Sequence, residues 1–270
     1  MKFSKLLLVG AITTTSLFAH GLWLNSFEAK SHGSSIVTVG LGSGHGVGIE
    51  EAVGDRIQLE SFDLFTPDAK TIALKKPQRG LDPIYESDSF NIAQSNLAMQ
   101  SITLGKKSKA GTYSVGFATK TGMFTKYLDS KGKQKFSTKA KEKIRDLKEV
   151  VSTMKVTTFA KTYFVNKKWS QPEPVGHKLE IIPTSDISKL YVGDKIELEV
   201  LYNGKPLQSG YITAKNSLSK NDNALFSNIR KGKAKFVLTN FGQWSFDMVN
   251  KTKKDGVDII DKASATINIK

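Results

Sequence analysis

The chain has 270 residues, no cysteine and a formal charge of +15. Without cysteine it can form no disulfide, thiolate metal site, cysteine nucleophile or lipid-anchored N-terminus, so any metal must be held by nitrogen and oxygen. The excess lysines are scattered and not interleaved with aromatic residues. They read as a solvated basic surface, not as a nucleic-acid interface.

In chain order the first element is a leader. Lys2 and Lys5 open it, and an apolar run from Leu6 to Val9 continues through Ala11 and Ile12 to Leu17 and Phe18. Ala19 stands directly before His20. A positive start, an apolar centre and a small residue at the cut site predict a secretory signal peptide over residues 1–19. Thr13, Thr14, Thr15 and Ser16 interrupt the run, and it is shorter than the about 20 apolar residues of a membrane span. An uncleaved anchor is the alternative. Cleavage after Ala19 makes His20 the first residue of a periplasmic or secreted protein with no stable membrane insertion after processing.

Strand signals dominate the chain beyond the leader. Residues 35–41 (SIVTVGL) and 56–65 (RIQLESFDLF) alternate in polarity, and 71–74 can return from a turn at Thr66-Pro67-Asp68. Residues 98–104, 111–119 and 156–165 add further strands, the last rich in β-branched and aromatic side chains. One segment breaks the pattern. Ser137 or Thr138 can cap a helix over 138–153, with Ile144, Leu147, Val150, Val151 and Met154 as its apolar stripe. Residues 167–176 (KKWSQPEPVG) read as an extended linker.

A second β-rich unit then begins, with strands at 178–183, 195–202, 208–214, 233–238, 242–248 and 263–269. Asn203-Gly204 marks a tight hairpin. The predicted fold class is mainly β. It comprises an N-terminal β-sandwich domain over 20–170 that carries the helix and a C-terminal immunoglobulin-like domain over 176–270.

The chemistry-bearing residues are few. There are four histidines, His20, His32, His45 and His177. After processing, His20 carries both an α-amine, with a reference pKa of about 8, and an imidazole, at about 6.5. Both can lose a proton near neutrality and close a chelate ring on one metal ion. His45 lies in the glycine-rich segment 42–48 (GSGHGVG), just after a strand, where the backbone can bend closely round a ligand. It is the candidate second ligand. Further candidates are His177, Glu50 and His32. Glu50 is more readily explained as loop charge, His32 as an exposed turn residue and His177 as packing at the domain junction.

No phosphate-binding loop, Gly-x-Ser-x-Gly elbow or His-Glu-x-x-His helix is present. Glu197 and Glu199 are expected to pair with lysines, and Trp23, Trp169 and Trp244 to fill cores or seams.

Several of these segments occur together in a known order. The start His20-Gly21-Leu22-Trp23-Leu24, the Gly-His loop at His45, and the stretch from Gly176 to Pro183 (GHKLEIIP) resemble a family of exported proteins, domain of unknown function 4198. So do Val192-Gly193-Asp194, the stretch from Tyr202 to Leu207 (YNGKPL) and Gly242-Gln243-Trp244. The resemblance implies a periplasmic protein of two β domains associated with nickel or cobalt uptake, with the family's leading histidine at His20 and its Gly-His loop at His45. Residues 228–232 (NIRKG) depart from the family's frequent threonine-aspartate-glycine turn.

The expected function is therefore a non-enzymatic metal-binding accessory. It captures nickel or cobalt, with copper or zinc also accepted by imidazole, and delivers the ion to an inner-membrane transporter. Two alternatives stand beside it: a copper-dependent oxidative enzyme with a histidine brace, and an adhesin-type β-sandwich that binds no metal.

Overall fold

A computed structural model describes residues 21–31, 34–44, 47, 58–76, 83–86, 89, 91–93, 99–139, 141–219 and 224–270. The described chain is mainly β. Its strands are β1 (Gly21–Ser31), β2 (Ser34–Gly44), β3 (Leu59–Phe65), β4 (Thr71–Ala73), β5 (Pro83–Glu86), β6 (Asn91–Ala93), β7 (Gln100–Leu104), β8 (Gly111–Thr119), β9 (Gly122–Asp129) and β10 (Gln134–Ser137). They continue with β11 (Leu147–Asn166), β12 (Leu179–Pro183), β13 (Lys195–Tyr202), β14 (Lys205–Pro206), β15 (Ser209–Asn216), β16 (Leu225–Arg230), β17 (Lys233–Val237), β18 (Gly242–Lys254) and β19 (Val257–Ile269).

Two-residue turns fix several registers. Asn203-Gly204 joins β13 to β14 and Asp255-Gly256 joins β18 to β19, with positive φ at all four residues (51°, 71°, 49° and 77°). A tight turn of this hand matches the strand twist and favours Asn-Gly or Asp-Gly.

Strand β11 organises the molecule. It runs parallel to β19 on one side and antiparallel to β8 on the other, so one hydrogen-bonded sheet runs from β12 at one edge to β4 at the other. Because successive side chains point to opposite faces, β11 serves two cores. Phe159 and Tyr163 join Leu179, Ile196, Ile212, Trp244, Phe246 and Ile267 in one. Ala160 and Phe164 join Leu24, Val39, Leu41, Phe62, Val115 and Phe117 in the other. Trp23 and Trp244 are buried and Trp169 packs against the first core, as expected of core and seam residues.

The three-stranded sheet β1-β2-β7 closes the second core. The outer edge of β1 stands on the face of β19. Ser264 Oγ donates to the Leu22 carbonyl (3.0 Å), Thr266 Oγ1 to the Leu24 carbonyl (2.5 Å) and Asn268 Nδ2 to the Ser26 carbonyl (2.7 Å). Alternate side chains of one strand thus satisfy alternate carbonyls of another. The edge of β1 is capped without a neighbouring strand.

The helix expected over 138–153 is not formed. Lys141–Lys143 make one 3-10 turn, and Leu147, Val150, Val151 and Met154 belong to β11, which pairs with β9. The cause lies in Val150, Val151, Thr153, Val156, Thr157 and Thr158, a β-branched run that packs better on a pleated surface than on a helix. Register shifts at Leu147/Glu149 and Val150/Ser152 break the two-residue alternation. The bulged strand therefore carries apolar residues at helix-like spacing.

Candidate functional site

The β1–β2 hairpin ladder begins with Gly21 paired to Gly44. A cavity of about 200 Å³ lies at this end of the ladder, between Gly21, Leu22 and Gly44 on one side and Thr213, Ser245, Asp247 and Ser264 on the other. Lys215 and Lys262 also line it.

Asp247 reaches the cavity through the period of β18. Trp244, Phe246 and Met248 point into the core, which turns Ser245 and Asp247 to the opposite face. Asp247 stands between Thr213 of β15 and Ser264 of β19. Ser264 is the same residue that holds the Leu22 carbonyl. The only hydrogen bonds to the Asp247 carboxylate among the described residues come from Ser245 Oγ, 3.0 Å from each oxygen. Among the described residues, Asp247 has no ion-pair partner. Burial pushes its pKa up to about 6, although the Ser245 hydrogen bond and the Lys215 and Lys262 charges pull the other way. Burial likewise lowers the Lys262 pKa, against the attraction of Asp247.

A second polar cluster lies at the start of β12. Lys161 and Glu180, 2% and 1% exposed, pair at 2.6 Å. The backbone N–H groups of Val175 and Gly176 donate to the same carboxylate at 3.0 and 2.9 Å. Burial disfavours the Glu180 charge, but Lys161 and these amides outweigh it and hold the carboxyl below its ordinary value. Burial also lowers the Lys161 pKa. His177, 8% exposed, packs between Phe159 and Phe65, with ring centroids at 5.4 and 6.4 Å. Burial, reinforced by the Lys161 charge, lowers its pKa to about 4, so the ring is neutral at pH 7. Its Nδ1 has no hydrogen-bond partner among the described residues.

The sequence-derived candidates fall differently on this frame. His20, His32, His45 and Glu50 lie outside the described residues. His177 is described, and it packs at the seam between β11, β3 and β12; it does not line the cavity beside Gly21 and Gly44. Among the described residues, no three His, Cys, Asp or Glu side chains gather as a metal site. No helix among them is long and apolar enough to cross a membrane. Glu197 pairs with Lys235 at 2.5 Å, the lysine partnership expected of it. Asp247 was missed because its segment, Ser245-Phe246-Asp247-Met248, reads as an ordinary strand with a solvated face. Only the docking of β1 makes that face a cavity wall.

No curated protein matches the chain. Among solved structures, it is similar to a two-domain fibronectin type-III segment of chicken tenascin at 7% identity and a TM-score of 0.23, covering 90% of this chain and 97% of that one. It is also similar to the D0-D1 domain of intimin at 12% identity and a TM-score of 0.18, covering 92% and 97%. The family model described as a domain of unknown function, DUF4198, matches residues 17–252. The chain therefore belongs to the DUF4198 family.

Proposed function

We propose that the processed chain is an exported, non-enzymatic metal-binding protein that captures nickel or cobalt and hands it to a transporter in the inner membrane. The ligands in this reading are the α-amine and ring of His20, freed by cleavage after Ala19, and the ring of His45. The two cores are read as two sandwich domains, the second immunoglobulin-like, with the site on the first.

The observation that carries the reading is the pairing of Gly21 with Gly44. Each of these glycines is one peptide from a candidate ligand. Facing Cα atoms in an antiparallel ladder are about 4.5–5.5 Å apart, and this closeness of Gly21 and Gly44 supports a shared site for the residues joined to them. Gly21 and Gly44, distant in sequence, are held against one another by backbone pairing. Amine and imidazole nitrogens suit nickel, cobalt, copper and zinc alike. The preference for nickel or cobalt comes from the family association and not from the donor set.

The test is to purify the exported protein, sequence its N-terminus, and titrate Ni(II), Co(II), Cu(II) and Zn(II) calorimetrically into wild type, His20→Ala and His45→Ala. Histidine as first residue and one ion per chain, lost in either variant, is expected. A different first residue, or binding indifferent to both substitutions, overturns the proposal.

A further inference from the structure

We propose that the loop tip carrying Tyr191, Val192, Leu218 and Phe241 docks reversibly on an anionic lipid surface. The tip holds none of the candidate metal ligands, so the proposal goes beyond the reading of His20 and His45 and does not depend on it.

The tip lies at one end of the core that Ile196, Ile212, Trp244 and Phe246 build. Three connections meet there: residues 190–194 ahead of β13, residues 217–219 after β15, and residues 238–241 between β17 and β18. Each sends large apolar side chains into solvent. Tyr191 is 57% exposed, Val192 49%, Leu218 53% and Phe241 61%. Single exposed apolar residues are ordinary, but a group of them on neighbouring loops marks an interaction surface.

The loops are fixed in place by hydrogen bonds from below. The buried Asn216 ties two of them together. Its Nδ2 donates to the Phe241 carbonyl at 3.0 Å, and its Oδ1 accepts from the Leu218 N–H at 2.9 Å. Trp244 Nε1 donates to the Asn240 carbonyl at 2.9 Å. The third loop is bound to the same strand end. The Gly193 N–H donates to the Leu238 carbonyl at 2.7 Å, and the Leu238 N–H donates to the Asp194 carbonyl at 2.9 Å. The Asp194 carboxylate accepts from the Tyr191 N–H at 2.9 Å.

This arrangement points to lipid. A layer poor in water demands that backbone polar groups find partners within the chain. The Leu218, Tyr191 and Gly193 N–H groups and the Asn240 and Phe241 carbonyls have theirs, while the apolar side chains beside them do not face a core. Aromatic rings with aliphatic neighbours also suit the boundary between headgroups and acyl chains.

Charge selects the kind of lipid. Lys189 and Lys195 are exposed on either side of Tyr191-Val192. The nearby acids are engaged: Asp186 by Ser188 and Lys189, and Asp194 by the Tyr191 N–H. A chain of net charge +15 is complementary to anionic headgroups. A second copy of the chain would set like charge against like. Modest apolar contact and basic attraction are together the two signals that peripheral membrane binding needs.

The test is co-sedimentation of the processed chain with vesicles of phosphatidylcholine containing roughly one-third phosphatidylglycerol, and with vesicles of phosphatidylcholine alone. Binding to the anionic vesicles, weakened by salt, is expected. Leu218→Ser and Phe241→Ser are each expected to lower it by about tenfold, the effect of returning one such side chain to water. Both positions are exposed, and an unchanged near-ultraviolet circular dichroism spectrum checks the fold. Phe241→Trp adds a readout of depth: brominated lipid is expected to quench its emission beyond the quenching of the wild-type tryptophans. Absence of vesicle binding overturns the proposal. So does binding that ignores both serine substitutions, since the general basic surface then suffices, or a Trp at 241 that brominated lipid leaves unquenched. Self-association lost in Phe241→Ser, without vesicle binding, overturns it in favour of a second copy of the chain.

Discussion

Single residues set the tolerances of this molecule. A Cβ on Gly42 lies 2.4 Å from Trp23 Nε1 and 2.6 Å from Trp23 Cε2, with Asn25 Nδ2 at 3.0 Å. Trp23 is buried across the β1–β2 ladder and cannot yield without opening that face. Gly42→Ala is expected to cost about 1–3 kcal/mol in urea unfolding, the usual range for overpacking. His177 makes stability depend on pH. Its folded pKa of about 4 lies below the ordinary 6.5, so between these values the unfolded chain holds a proton the folded chain lacks. Stability is fully present above pH 6.5 and falls as pH drops toward 4, by about 3 kcal/mol at most. Lys161 deepens the depression and Glu180 opposes it. His177→Phe preserves the ring contacts and removes the titration, so its unfolding free energy is expected to be flatter than wild type between pH 7 and 5. The Lys161–Glu180 pair is buried on both sides, and Lys161→Met alone is expected to destabilise by about 3–5 kcal/mol because it strands the carboxylate. Restored stability in Lys161→Met/Glu180→Leu is the matching expectation.

At the scale of elements, the capped edge of β1 has its own consequence. Thr266→Val removes a buried donor to the Leu24 carbonyl, and Asn268→Ala removes the donor to Ser26. Each is expected to cost about 1 kcal/mol. Faster amide exchange in β1, with β12 and β13 unaffected, is the local signature to look for. The same elements show what was legible in the sequence. Alternation and turn residues placed β2, β3, β4, β7, β8, β12, β13, β15, β17 and cores of β18 and β19: β13 and β17 alternate between a buried and a wetter face, while β8 and β12 are buried on both faces and were legible from apolar, β-branched and aromatic runs bounded by turns. β1 stayed unread beside the expected leader, and β16, β9 and β10 lack a clean apolar alternation. β11 was half read. Its second part, 156–165, has the composition of a buried strand, while its bulged first part mimicked a helix stripe. Asp247 was illegible for a different reason. Its place in a cavity wall depends on a strand more than 200 positions away in sequence docking on its face.

The whole molecule joins a strongly basic surface to a site read as cation-binding. Screening limits the repulsion of an approaching dication to about 8 Å at physiological salt, so local ligands decide the affinity. Raising salt is expected to speed metal association modestly and leave the dissociation rate nearly unchanged, measurable by stopped flow with Co(II). Protons compete for the amine and imidazole nitrogens, so affinity is expected to fall as pH drops from 8 to 6. Both expectations depend on the central claim, that processing creates the site by freeing the His20 nitrogen beside a strand end paired to the His45 segment. The most direct measurement is calorimetric titration of Ni(II) into the processed chain and into the same chain with one alanine placed ahead of His20. The extra residue leaves every side chain in place and moves the free amine off the histidine. Affinity lower by about a hundredfold or more in the extended chain is the result expected, and equal affinity in the two chains contradicts the account.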